Sequence, residues 1–138
     1  MIKTNYFNIE ELVHPQILKS IGENNSWMRL DAGCLIDLDV IREAWGSSIF
    51  VNIGNADSRG LRPPNDPDGA FYSSHKMGVA FDLVPGNGKT KELFELIKQL
   101  IENGEILSFN TLEDFNFTPS WVHVAKMNHD KKPLIIRP

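Results

Sequence analysis

The sequence predicts an α+β domain: a small, mainly antiparallel sheet with helices packed on one side, residues 1–138 forming a single domain. Three observations predict it. The 138 residues suffice for one domain with a real core and not comfortably for two. Segments of helical spacing and short β-rich runs follow in the order helix, strand, loop, strand, helix, strand, strand. The last two runs, "ILSFNTLE" and "SWVHVAKM", are joined only by "DFNFTP", which suits two strands that pair with each other.

Each element has its own signal. "NIEELVHPQIL" starts a short helix, with Asn8 able to cap it and Glu10 and Glu11 suited to its first turn; Pro15 then breaks or restarts it. "DAGCLIDLDVIREAWG" places Leu35, Leu38, Ile41, Ala44 and Trp45 at helical spacing and stops at Gly46. "SIFVNIG" reads as a strand, and "NADSRGLRPPNDPDGAFYSS" as a long surface loop, a kind of segment that often carries function. "GVAFDLVP" is a strand closed by Pro85 and "GNG". "KTKELFELIKQLIENG" is the clearest helix, with Leu93, Leu96, Ile97, Leu100 and Ile101 as its buried stripe and Gly104 at its end.

Composition excludes several classes of function. Fourteen Lys and Arg against eighteen Asp and Glu give a net charge of -4, with no long basic run. Nucleic acid is therefore not expected as a partner, since phosphate binding needs clustered cations. No segment approaches a membrane span, so no membrane insertion is expected. The polar start "MIKTNYFNIEELVHP" has no apolar export core, which predicts synthesis in the cytoplasm without a signal peptide. Cys34 is the only cysteine and reads as a small packed hydrophobe. Oligomeric state is not encoded in any of these features.

The chemistry-bearing stretch is "SSHKMGVAFD", Ser73 to Asp82. On a strand "AFDLV", Ala80 and Asp82 share one face; on "WVHVA", Trp121, His123 and Ala125 share one. If these strands are neighbours, Asp82 and His123 point to the same side, and the small Ala80 leaves room. Gly78 allows a sharp turn that brings His75 back over the strand. Two imidazoles and a carboxylate then converge, a ligand set that suits catalytic Zn²⁺ with one open position, though other divalent metals accept it too. Such a site needs a general base, and a cation would anchor an anionic substrate. Taken singly, each residue has a plainer reading: a hydrogen-bonded buried histidine, or an aspartate capping a turn. His14 and His129 have no comparable context and read as surface residues.

Together these residues fit S-x-H-x-x-G-x-A-x-D through Ser73, His75, Gly78, Ala80 and Asp82, followed by "WVH" at Trp121 to His123. The pattern resembles the zinc peptidases that include D-alanyl-D-alanine carboxypeptidases, L-alanyl-D-glutamate endopeptidases of phage lysins, and the zinc-bearing hedgehog signalling domain. "LIDLDVIREAWGSSIFVNIG" and "RGLRPP" extend the similarity, which runs from about "YFNIEELVHP" to "WVHVA". The resemblance implies a hedgehog/DD-peptidase-like fold with Zn²⁺ held by His75, Asp82 and His123. It implies hydrolysis of stem peptides in bacterial peptidoglycan, reached by a phage-type release, as a carboxypeptidase or an endolysin. The family's usual general base lies three positions before the second histidine, where this chain has Ser120. The resemblance to the hedgehog arrangement, which draws its glutamate from the preceding strand end, puts Glu113 in that role, with Asp114 second. The family's arginine turn is also displaced: Arg62, or Arg59, is the candidate grip on a peptide carboxylate. Ser73 and Trp121 are candidate substrate contacts. The alternative is a non-catalytic zinc module, structural or wall-binding, on the same fold.

Overall fold

A computed structural model describes residues 1–67 and 73–138. Residues 68–72, part of the long loop expected from the sequence, lie outside the described residues.

Among the described residues four helices precede or interrupt the strands: α1 (Ile9–Leu12), α2 (Pro15–Met28), α3 (Ala32–Trp45) and α4 (Thr90–Glu102). The α1 start is fixed by the Glu11 carboxylate, which accepts the Asn8 backbone N–H at 2.8 Å. Pro15 restarts the chain as the first residue of α2, where its missing N–H costs nothing. Gly22, at φ 81 and ψ 175, then interrupts α2, which continues ten residues past the stretch read as helical. The Asp31 side chain caps α3 by accepting from the Cys34 N–H, and Gly46 ends it in the left-handed conformation at φ 72. Leu35, Leu38 and Ile41 are buried as the spacing demands, but Ala44 is exposed and Trp45 only half-buried. Helix α4 buries Leu93, Phe94, Ile97, Leu100 and Ile101, with Leu96 half-buried at the edge of the stripe.

The strands are β1 (Ile49–Phe50), β2 (Ala80–Pro85), β3 (Thr111–Glu113), β4 (Val122–Ala125) and β5 (Leu134–Ile136), in the order β1-β2-β4-β3-β5. Neighbours run antiparallel except β3 and β5, which are parallel. The sheet is thus mixed but mostly antiparallel, and the domain is α+β.

All four strands read from the sequence are shorter than their runs, and the two that lose most, β1 and β3, do so for identifiable reasons. The run "ILSFNTLE" enters the sheet only at Thr111, because the buried Asp37 carboxylate on α3 accepts the N–H groups of Ser108 and Phe109 at 2.8 and 2.9 Å. Burial raises the Asp37 pKa, against the lowering effect of those backbone donors. The run "SIFVNIG" leaves the sheet after Phe50, because Asn52 is taken up elsewhere. Its N–H donates to Glu11 O at 2.8 Å and its side-chain amide to Val13 O at 3.1 Å.

Strands β2, β4 and β3 present two unlike faces. Phe81, Leu83, Val122, Val124 and Leu112 are fully buried on one, joined in a single core with Leu93, Ile97 and Leu100 of α4. The other face carries Ala80, Asp82, His123 and Ala125, in the register Ala80↔Ala125 and Asp82↔His123.

Candidate metal centre

The site begins as a consequence of register. Asp82 and His123 are directly opposed across β2 and β4, so their side chains leave the sheet on the same side. Ala80 and Ala125, one pleat away, are small and leave the space beside them open. The chain reaches this face a third time through the turn at residues 73–79, where Met77 N–H donates to Ser73 O and Val79 N–H to Ser74 O. Gly78 has φ +73, and a Cβ there would strike the carbonyl oxygen of Arg29, so only glycine lets the turn close against the end of α2. That turn delivers His75, which is 5% exposed.

The three polar atoms that meet form a compact triangle. His123 Nδ1 lies 2.9 Å from Asp82 Oδ1, His75 Nε2 lies 3.3 Å from the same oxygen, and the two imidazole nitrogens are 3.3 Å apart. His75 Nδ1–H donates to the carbonyl of Gly60 at 3.1 Å, which turns Nε2 into the triangle: in the protonated ring its N–H donates to Asp82, and in the neutral ring its lone pair is free for a metal. Burial works against an ionised Asp82. The hydrogen bonds from His123 and His75, together with their charges, outweigh it and hold the carboxyl down at about 2. These three buried side chains could hold a metal ion.

They line a cavity of about 360 Å³ together with Arg62, Ser73, Glu113, Trp121, Met127 and Ile136. Glu113 arrives by the same logic of register. Leu112 pairs with Val124, so the next residue of β3 falls opposite His123. Ile136 of β5 in turn pairs with Glu113. Asp82, His123, Glu113 and Ile136 therefore form one row across the sheet. Asp114 does not join it: its carboxylate accepts the Asn116 N–H at 2.9 Å and pairs with Arg137 at 3.3 Å. Ser120 is exposed and is not among the lining residues. The Ser73 hydroxyl is buried at the cavity wall with no hydrogen-bond partner among the described residues.

A second cavity of about 360 Å³ shares Arg62, Asp82 and Trp121 with the first and adds Asn55, Asp57, Ser58 and Arg59. Arg62 Nη2 stands 3.5 Å from Asp82 Oδ2, while Arg59 Nη1 donates to Val51 O at 3.3 Å. Trp121 is 37% exposed and forms a wall common to both spaces.

The other polar candidates lie apart. His14 is less exposed than expected of a surface residue: its Nδ1 accepts the Gln16 N–H at the start of α2, and its Nε2 faces Asp57 at 3.4 Å. His129 is half-buried too, clipped between the Lys131 N–H and the Thr111 hydroxyl. Cys34 is fully buried, and burial with nearby Asp31 pushes its thiol pKa far up, which makes it an inert packing residue. Sequence reasoning did not reach Gly60, Met127 or Ile136. Gly60 acts through its carbonyl, which any residue type possesses, and Ile136 comes from a three-residue strand after Pro133 with too short a pattern to read. Among the described residues no helix is long and apolar enough to cross a membrane. Compared with family models, with curated proteins and with solved structures, the chain gives no match.

Proposed function

We propose that this chain is a zinc-dependent peptidase of hedgehog/DD-peptidase-like fold. It hydrolyses peptide bonds in the stem peptides of bacterial peptidoglycan, in the manner of a D-Ala-D-Ala carboxypeptidase or an endolysin. The observation that carries the reading is the His75–Asp82–His123 triangle with Glu113 in the same row and cavity. Zinc fits the donor set: tetrahedral bonds of about 2.0–2.1 Å put neighbouring ligand atoms about 3.3 Å apart, against the 2.9, 3.3 and 3.3 Å of this triangle. The substrate class rests on the resemblance of "SSHKMGVAFD" and "WVH" to cell-wall peptidases.

A zinc ion there would supply a Lewis acid that polarises a carbonyl and acidifies a water molecule. The chain supplies the rest. Glu113 accepts the proton of the attacking water at its carboxylate and returns it to the amine nitrogen as the C–N bond breaks. Arg59 and Arg62 provide positive charge for a peptide carboxylate in the adjoining cavity, and Trp121 and Ser73 contact the peptide at the walls.

One observation favours a second reading, a non-catalytic zinc module: the family's usual base position is Ser120, which is exposed. Incubation of zinc-loaded protein with purified peptidoglycan, followed by mass spectrometry of soluble products, decides. Stem-peptide fragments that vanish with chelator and with Glu113→Gln establish the peptidase. Stoichiometric zinc with no fragments from several wall types establishes the module.

A further inference from the structure

Five consecutive residues, Ser58 to Arg62, form a strap behind the metal centre. The Arg59 carbonyl accepts the backbone N–H of Asp82 at 2.8 Å, and the Gly60 carbonyl accepts the ring N–H of His75 at 3.1 Å. Arg62 N–H donates to the carbonyl of His75 at 3.3 Å. The Arg62 side chain is itself fixed, because Nε donates to Ser58 O at 2.6 Å, and Nη2 then stands 3.5 Å from Asp82 Oδ2. One short segment thus touches two of the three candidate ligands through four contacts.

The strap is anchored on its far side. Leu61 exchanges hydrogen bonds with the α1–α2 junction, its N–H donating to Leu12 O at 2.8 Å and its carbonyl accepting from His14 N–H at 2.9 Å. Asn52, 8% exposed, ties the same parts together: its Oδ1 accepts the Arg59 N–H at 3.0 Å while its amide donates to Val13 O. A Cβ on Gly60 would run into the Leu12 carbonyl, so the close approach needs glycine.

We propose that Arg62 is a positioning residue for the metal centre. It pairs with Oδ2 of Asp82 across 3.5 Å and draws that oxygen away from the site, so that Oδ1 alone faces the two imidazoles and Asp82 presents a single oxygen to the ion. The role deepens the zinc reading and rests on it. It differs from a grip on substrate, because it acts in the absence of any peptide. A guanidinium suits it better than an ammonium, since one planar fork spans both the Ser58 carbonyl and the Asp82 carboxylate.

The test compares wild type with Arg62→Met, Arg62→Gln and Arg62→Lys. Zinc affinity is measured by competition with a chromophoric chelator, coordination geometry by the visible spectrum of Co²⁺-loaded protein, and Tm is taken on the metal-free forms. The Met and Gln variants are expected to bind zinc about 10–100-fold more weakly and to shift the cobalt spectrum, with metal-free Tm little changed. Lys, which keeps the charge, is expected to recover part of the affinity. Wild-type affinity and spectrum in both the Met and Gln variants would overturn the proposal while leaving the zinc reading intact. Equal losses in all three variants, matched by a fall in metal-free Tm, would overturn it in favour of a general structural role. A wild-type chain that takes up neither metal would overturn the zinc reading as well, and this is visible before any variant is made.

Discussion

The two faces of the β2–β4 ladder use alternate residues of the same eight positions and do opposite things. Phe81, Leu83, Val122 and Val124 are each at most 1% exposed and belong to the core with α4. Asp82 and His123 lie between them in sequence and beyond them in space, beside two alanines that leave room. One face fixes the backbone through apolar burial; the other holds polar groups that gain little from packing. The rigidity of the site is therefore supplied in part by the apolar face behind it, whose side chains do not line the cavity.

Breaking the polar face outright has the largest effect. His123→Ala should abolish stoichiometric zinc uptake, read by elemental analysis after dialysis, and with it all peptidoglycan hydrolysis. The metal-free fold should survive by circular dichroism. Next comes the acid in the row. Glu113→Gln should lower kcat by about 10²–10⁴-fold with zinc content unchanged, whereas Asp114→Asn, removed from the cavity, should leave kcat near wild type. Breaking the apolar face gives the reverse pattern. Phe81→Ala should cost about 3–5 kcal/mol of stability in urea melts, and its remaining folded fraction should still bind zinc.

A smaller effect sharpens the contrast. The folded pKa of Asp82 is about 2, below its unfolded value of 3.8. Its contribution to the stability of metal-free protein is complete above about pH 5 and is lost as pH falls through 4 towards 2, amounting to about 2 kcal/mol. Asp82→Asn should flatten that part of the stability curve. Wild-type and Asp82→Asn curves that run parallel between pH 5 and 2 would mean that the two histidines do not hold the carboxylate down.

Much of this face was legible because strands have a period of two. "AFDLV" and "WVHVA" alone put Asp82 and His123 on one side once the strands were neighbours, and Gly78 marked the turn that brings in His75. What was not legible depends on long-range partners. Asp37 diverts "ILSF" from the sheet, and Asn52 diverts "VNIG"; neither polar residue announces its partner 72 or 39 positions away. β5 pairs in parallel through three residues, too few to show a pattern. The role of Gly60 lies in a carbonyl and a close approach, which sequence spacing does not report.

The single row from Asp82 through His123 and Glu113 to Ile136 also determines where this chain can change in length. Added or lost residues at the exposed positions of the connection, Asn116, Phe117, Pro119 and Ser120, on either side of the buried Thr118, leave both strands in register and the row undisturbed. One residue deleted inside Val122–Ala125 inverts the strand, turning valines into the cavity and driving an imidazole into the hydrocarbon interior. Drift in chain length should therefore be permitted at the hairpin tip and forbidden one step inside it.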